Sequence, residues 1–476
     1  MLIYIDILIK RMWFRKSKNK VKDIHPAGSK KVKRVLFALI FIFIAIIGYV
    51  VFSGFVNFYK ITADSSDNNK ASFFKYKEGE IPVADLKKEG DGRINILLIG
   101  NGGTSHPGGN LADTIMVASI DPINKKMALV SLPRDLYVKM NNSSWGKINS
   151  AYASALNSCT GKSCPSADKG DAGAKALKDI VSNVLDLNIN YYARVDFTGF
   201  TKLIDKLGGV DIYVDKAIDD YKYPDKNMSG YETLHIKAGQ QHMDGTLALK
   251  YSRSRYSTSD FDRAQRQQKV VAAVMKKLLS AQSLTSPLKV TEIMNILGSN
   301  LRTDFEASEL VSLLPTIKGI NTDSIDSKVF DTATDGPLMS SMQYGAYIII
   351  PRLGMGKYLE VQEAAHKVLP EPYILKENAK VVIAYTTATE KIAKQLQSHL
   401  LDYGYNITEL VKVDSIDKTT IIYQNTKMPY TVAFLKNRLK ADVSTSKWDG
   451  TVEADIVIKI GKTYTLGIAP TATPTR

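Results

Sequence analysis

Four arginines, Arg253, Arg255, Arg263 and Arg266, fall within fourteen residues of the stretch KYSRSRYSTSDFDRAQRQQ, residues 250–268. A guanidinium is planar and always charged, and its fork of N–H donors meets two phosphate oxygens at once, which a lysine cannot copy. Asp260 stands in front of a helical pattern as a candidate N-cap. Gln267 follows Arg263 by four residues, so the two share a helix flank. On these residues alone two readings stay open: a solvated face of ion pairs, or a seat for a bound oxyanion.

An earlier stretch, RINILLIGNGGTSHPGGNLADTIMVASID (93–121), runs a strand into a loop with five glycines and one histidine, His106. Then come a lone Asp113 and a second strand. The loop has no GK[ST], so it lacks the lysine and the magnesium-binding hydroxyl of a P-loop. TIMVASI reads as a strand, which removes the helix N-terminus that a dinucleotide site requires. What remains is a plain hairpin, or a loop whose bare backbone N–H groups approach an anion. In SLPRDLYV, Arg134 follows a strand and a proline and is placed to point from a strand end into a cleft. It lies 21 residues past Asp113, and the connected strands can bring both to one sheet edge. There is no H-E-x-x-H, no Ser-His-Asp pattern with supporting motifs, and the six histidines are scattered.

The elements that must hold these residues follow from periodicity. Strand patterns cover Ile94–Ile99, Thr114–Ile120, Met127–Leu132, 191–197 and VDIYVD; helical patterns cover Ala172–Leu185, 199–208 and about 260–280. On the last helix Phe261, Ala264, Val271, Val274, Met275 and Leu278 form the apolar face. Strands alternating with helices predict an α/β domain over 92–365 with its core at 92–285, residues 286–365 reading as helical and then mixed. A smaller βαβαβ unit is expected over 378–464, followed by a Pro/Thr-rich disordered tail at 465–476.

The whole chain has 476 residues, 44% hydrophobic and 23% charged, a globular composition. Its net charge of +15 is concentrated: residues 1–34 carry eleven Lys or Arg against two Asp, leaving +9 there and +6 for everything after. That distribution speaks against a nucleic-acid partner. Residues 35–56 contain no charge, long enough to cross a hydrocarbon core of about 30 Å and too long for a signal-peptide core. With basic residues on its N-terminal side, the span predicts residues 1–34 in the cytoplasm, a tether at 57–91, and the rest outside the plasma membrane. Export places the two cysteines, Cys159 and Cys164, in an oxidising compartment, where a disulfide is expected.

The blocks INILLIG, DTIMVASIDPINKKMALVSLPRD, KINSAYA, YYARVDFTGFTKLIDKLGGVDIYV, GQQHMDGTLALKYSRSR and DFDRAQRQQ, in that order over about 92–285, closely resemble the LytR-CpsA-Psr family. Residues 378–464 resemble the LytR C-terminal domain often appended to it. The resemblance implies a central mixed β-sheet flanked by helices, a small C-terminal α/β domain, and one preceding transmembrane helix. It implies transfer of a glycopolymer, such as wall teichoic acid or capsule, from a polyprenyl-pyrophosphate carrier onto peptidoglycan. Arg134, Arg253, Arg255, Arg263 and Gln267 match the family's pyrophosphate-binding positions, and Asp260 another acidic position. Asp113 matches a carboxylate at a Mg²⁺ ion near the attacking hydroxyl, so catalysis is expected from Asp113, Arg134, Arg253 and Arg255. One departure stands out: most members have an Asp directly after the ILLIG strand, where this chain has Asn101 and Gly102. A hard cation prefers carboxylate oxygen, so a weakened Mg²⁺ site is expected, with His106 or backbone carbonyls substituting, or the ion arriving on the pyrophosphate. The missing acid leaves two rivals: a non-catalytic lipid-pyrophosphate or wall-binding scaffold, and a lipid pyrophosphatase that uses water as acceptor. Retention of the arginines favours the transferase.

Overall fold

A computed structural model describes residues 92–465, apart from 104–105, 141–142, 160–168, 226–228, 257–258, 281–295, 306–308, 310–312, 314–315, 318, 323 and 416. The basic segment 1–34, the apolar span 35–56, the tether 57–91 and the tail from 466 lie outside the described residues. Among the described residues no helix is long and apolar enough to cross a membrane.

The central sheet is built from β1 (Ile94–Asn101), β2 (Thr114–Asp121), β3 (Lys126–Ser131), β4 (Tyr191–Asp196), β5 (Leu301–Thr303) and β6 (Asp326–Val329), in the order β5-β4-β1-β2-β3-β6. It is mixed: β1 runs parallel to β4 and antiparallel to β2, while β3 runs antiparallel to β2 and parallel to β6. Seven of the eight residues of β2 are buried, the pattern of a strand covered on both faces. Side-chain alternation divides them. Ile115 and Val117 join a core with Leu97, Ile99 and the helices α1 (Ile148–Ser158) and α2 (Lys169–Leu185). Met116, Ala118 and Ile120 face the opposite core, on which Val271, Ala272 and Met275 of a later helix pack. The molecule is therefore three-layered here.

Further helices are α3 (Phe197–Lys206), α4 (Gly245–Arg253) and α5 (Asp260–Ser280); between α3 and α4 lie two antiparallel strand pairs, Val210–Val214 with Gly239–Met243, and Ile218–Pro224 with Tyr231–Ile236. α5 has no single apolar stripe. Its first half is buried through Arg263, Arg266 and Gln268, and its second half packs on two separate cores. The helices α1 and α4 were not foreseen from periodicity: Ser and Asn dilute the apolar face of one, and the other is nine residues long. Much of the start of 286–365, expected to be helical, lies outside the described residues; those described at 296–300, 309, 313 and 316–317 are helical, and the mixed remainder contributes the two edge strands β5 and β6 and a short hairpin at 338–351.

After α6 (Leu359–Val368) and α7 (Pro372–Glu377), a second sheet with its own core is formed by β7 (Val381–Tyr385), β8 (Ile407–Lys412), β9 (Ile421–Gln424), β10 (Asp442–Val443) and β11 (Ile456–Lys459), with α8 (Glu390–Asp402) and α9 (Pro429–Leu439). The order is β8-β7-β11-β9-β10, so the expected βαβαβ pattern lacked β8 and β10. β8, ITELVK, carries two exposed residues in its first half and has no clean apolar alternation to betray it. Buried Arg93 ties the central sheet to the turn between α6 and α7, donating to Ser119 Oγ at 3.0 Å and to the Pro370 carbonyl at 3.1 Å. Cys159 is buried and disulfide-bonded, and the chain's only other cysteine, Cys164, lies outside the described residues.

Candidate active site

One end of the central sheet assembles the site. Pairing of Gly100 with Thr114 sets Asp113 beside the end of β1, and pairing of Met116 with Ser131 brings the segment leading to Arg134 to the same end. Parallel pairing of Asn101 with Asp196 adds the start of α3. α5 is pinned over this end by Gln268, whose amide donates to Ser131 Oγ, the Leu129 carbonyl and the Lys328 carbonyl.

At the centre is the Arg134 guanidinium. Its Nη1 donates to Asp113 Oδ1 at 2.8 Å, and its Nε lies 3.4 Å from Asp260 Oδ2 and 3.5 Å from Asp135 Oδ2. Asp260 also meets Arg255 Nε at 2.8 Å and Arg263 Nη1 at 3.4 Å, so one carboxylate gathers three arginines. Lys147 Nζ closes on Asp135 at 2.6 Å. Burial works to lower the Arg134 pKa, but the Asp113 hydrogen bond and the charges of Asp260, Asp113 and Asp135 outweigh it, and the net shift is upward. Burial pulls Arg263 down to about 10, with Asp260 opposing and Arg134 and Arg255 adding to the fall. It stays cationic at neutral pH, and its buried Nε has no hydrogen-bond partner among the described residues.

Arg253, the last residue of α4, stands on the Phe197 ring, 4.3 Å from guanidinium carbon to centroid. Its Nη2 is 3.2 Å from His106 Nε2. Because arginine only donates, Nε2 is the acceptor and the ring proton sits on Nδ1, which donates to the Pro107 carbonyl at 2.9 Å. His106 meets Phe197 edge-on at 5.1 Å.

Several backbone donors of the glycine loop are spent within it. Gly103 N donates to the Gly109 carbonyl, His106 N to Gly103, Gly109 N to His106 and Leu111 N to Gly108, so these four donors are used inside the loop. Glycine is required where the loop folds on itself. A Cβ on Gly109 would stand 1.8 Å from the Gly103 carbonyl oxygen, and Gly103 has φ of +85°. These four N–H groups are therefore not offered to an anion, and residues 104–105 of the loop lie outside the described residues.

Two other expectations change. Asp260 is the first helical residue and not the N-cap; Ser259 caps, its Oγ accepting from Asp262 N and donating to Asp262 Oδ2. That reciprocal box leaves Asp260 free to face the arginines. Arg266 does not join the site, because its guanidinium donates to the Tyr251 and Ser254 carbonyls and ties off the C-terminal end of α4. Gln267 sits beside it, its amide 3.4 Å from the Ser252 carbonyl.

Sequence reading did not single out Asp135, Lys147, Phe197 or Asp220. Buried Asp220 accepts from Ser254 Oγ at 2.7 Å and from the N–H groups of Arg255 and Tyr256, fixing the turn that carries Arg255. Burial would raise its pKa, but these bonds and one from Lys222 N outweigh that and hold the carboxyl below its ordinary range. Only Asp135, adjacent to Arg134, carried a local signal.

The donor set does not fit a Mg²⁺ held by protein alone. Asp113 is engaged by Arg134, and both ring nitrogens of His106 are engaged. Gly102 has no side chain, and a Cβ there would lie 2.8 Å from His106 Cβ, so the imidazole fills that place. Asn101 is buried with both amide atoms unpartnered among the described residues, but a neutral amide is a poor substitute for a carboxylate toward a hard cation. Among the described residues no group of three or more His, Cys, Asp or Glu is placed to hold a metal. Five cations (Arg134, Arg253, Arg255, Arg263, Lys147) against three carboxylates (Asp113, Asp135, Asp260) leave two positive charges, the charge that a pyrophosphate diester neutralises.

The chain is similar to several known proteins. The chain is 33% identical over 241 residues to the polyisoprenyl-teichoic acid–peptidoglycan teichoic acid transferase TagU of Oceanobacillus iheyensis, covering 50% of this chain and 66% of the relative. It therefore spans slightly less than two thirds of that relative's length. It is 27% identical over 306 residues to TagV of Bacillus subtilis, a transferase of the same description, covering 63% and 70%. The crystal structure of B. subtilis TagV aligns with a TM-score of 0.43 and 24% identity, over 67% of this chain and 99% of that one. The family model LytR_cpsA_psr matches residues 49–353, which is more than half of the chain and includes the whole arginine–carboxylate cluster but not the second sheet. This chain belongs to the LytR_cpsA_psr family.

Proposed function

We propose that this protein is a membrane-anchored phosphotransferase that moves a glycopolymer from a polyprenyl-pyrophosphate carrier onto peptidoglycan. The observation that carries the reading is the gathering of Arg134, Arg255 and Arg263 around Asp260, with Arg253 alongside, in a site that carries two surplus positive charges. The names of the TagU and TagV relatives support the substrate class. Residues 35–56 are the proposed anchor, with the catalytic domain and the second, LytR-C-terminal-like unit on the outer side. The arginines hold the two phosphates, while Asp113 and Asp260 keep the guanidiniums in place before substrate arrives. An acceptor sugar hydroxyl attacks the phosphorus next to the glycopolymer and Asp113, which is partly exposed, takes the proton. The new O–P bond forms as the bridging P–O bond breaks, and polyprenyl phosphate leaves with the electron pair. Charge growing on that leaving phosphate is stabilised by the preorganised guanidiniums. Magnesium enters this reading only as an ion accompanying the pyrophosphate.

The test is to give the detergent-solubilised chain a lipid-pyrophosphate-linked saccharide together with peptidoglycan oligomers. Mass spectrometry should find a phosphodiester joining the two. Release of the saccharide phosphate to water alone would make the protein a lipid pyrophosphatase, and binding without any product would make it a scaffold.

A further inference from the structure

A cleft of about 450 Å³ opens between the glycine loop and α1, with His106, whose Nε2 accepts from Arg253, in its wall. It is lined by His106, Asn110, Leu111, Ala153 and Asn157 together with the backbone of Gly103, Gly108 and Gly109. Its size lies within the ~300–1,000 Å³ typical of small-ligand sites. No lining side chain is charged, since His106 carries its single ring proton on Nδ1 and accepts at Nε2. Exposed amides at Asn110 and Asn157 offer donors and acceptors together, while Leu111 and Ala153 give a short apolar wall. Amides beside a small apolar surface match a sugar ring, with its equatorial hydroxyls and apolar face. They do not match a phosphate, which the arginine cluster would take.

Resting on the proposed transferase reading, we infer that this cleft is the subsite for the acceptor sugar of peptidoglycan. Leu111, in its wall, lies two residues before Asp113, and the intervening Ala112 is fixed by its N–H bond to the Asn149 carbonyl. A sugar in the cleft is thereby led to the carboxylate proposed to take the hydroxyl proton. His106 links the two: it lines the cleft, and its Nε2 holds Arg253 for the donor phosphates.

The experiment narrows the cleft with Ala153→Trp and, more mildly, Asn157→Leu, in the full chain. Three quantities are read: transfer from a lipid-pyrophosphate saccharide to peptidoglycan oligomers, hydrolysis of the same donor by water, and calorimetric binding of a soluble peptidoglycan disaccharide without donor. The expected result is a rise of about tenfold or more in KM for the acceptor in Ala153→Trp, with a smaller rise in Asn157→Leu. Disaccharide binding should be lost from Ala153→Trp while donor hydrolysis and donor KM stay unchanged. Unaltered acceptor KM and disaccharide binding in both variants would overturn the assignment while leaving the transferase reading intact. A rise in donor KM instead would assign the cleft to the donor's own glycan and overturn it equally. Absence of both transfer and hydrolysis in the unmodified chain would remove the transferase reading and this inference with it.

Discussion

Arg255 is about half exposed yet bonded to Asp260 at 2.8 Å, and Arg253 is propped on Phe197, so each is held in place before any ligand binds. Holding costs the arginine side chain its freedom in advance, which is what a preorganised anion site requires. Arg253→Lys or Arg255→Lys keeps the charge and loses the fork. Transfer should fall about a hundredfold or more, roughly 3–4 kcal/mol for loss of one donor aimed at growing charge. An exposed ion pair with no ligand contributes about 0–1 kcal/mol and its loss would leave turnover intact. Steady-state kinetics on variants with unchanged melting separates the two. At Gly102 the structure sharpens an expectation about magnesium. Restoring an acid there as Gly102→Asp forces a Cβ into His106, so the single variant should melt lower than the unmodified chain. Combined with His106→Gly, which removes the Cβ it would strike as well as the ring, it should recover part of that stability and bind Mg²⁺ more tightly than the unmodified chain, which without pyrophosphate should bind it weakly. Calorimetry on the three proteins checks this, and tight Mg²⁺ in the unmodified protein without pyrophosphate contradicts it.

At the scale of elements, α4 and α5 matter as a joined pair. Arg266 ties off the end of α4, Asp220 fixes the turn that follows, and the Ser259–Asp262 box starts α5 so that Asp260 faces inward. Asp220→Ala would leave the buried Ser254 hydroxyl without its acceptor, a loss of about 1–3 kcal/mol, and by releasing the N–H groups of 255 and 256 would let Arg255 wander. Melting temperature and transfer rate should both drop, whereas Tyr256→Ala, which keeps the same backbone bonds, should leave the rate near normal. The pH dependence has a definite sign. Asp220 is held below its ordinary value of 3.8, so its contribution is complete above about pH 4 and is lost as pH falls further toward the folded pKa. Denaturant midpoints of the unmodified chain and Asp220→Ala, compared across this range, should converge only in acid. Helical periodicity located α5 over its full length, but it could not show that polar residues bury its first half, because an arginine bonded to carbonyls looks like a solvent-facing one in sequence.

For the whole molecule, the basic flank and uncharged span predict that residues 57–476 lie outside the membrane. Protease added to wall-stripped cells should therefore digest them, and full protection would contradict the topology. Much of the fold was legible because β1, β2, β3 and α2 carry strong periodic signals, and because β2 is apolar on both faces, as a central strand must be. The residues of the candidate site were legible as arginines with Asp113 and Asp260, although by type alone an ion-paired face stayed as open as an oxyanion seat, and it is the structure that brings them together. Phe197 and Asp220 were not, since a lone aromatic and a lone carboxylate gain meaning only when the chain brings them under Arg253 and Arg255. The compact glycine loop was invisible for a similar reason: its internal bonds depend on which backbone groups meet. The claim that unites these scales is that the arginines around Asp260 form one pyrophosphate seat. It is tested most directly by calorimetric titration of a short-chain prenyl pyrophosphate into the unmodified chain, the two single variants Arg253→Lys and Arg255→Lys, and the double variant. The account predicts saturable binding in the unmodified chain, marked weakening in each single variant, and a double variant that loses less than the sum of the two, because the residues act as a unit. Equal affinity in all four proteins would contradict it.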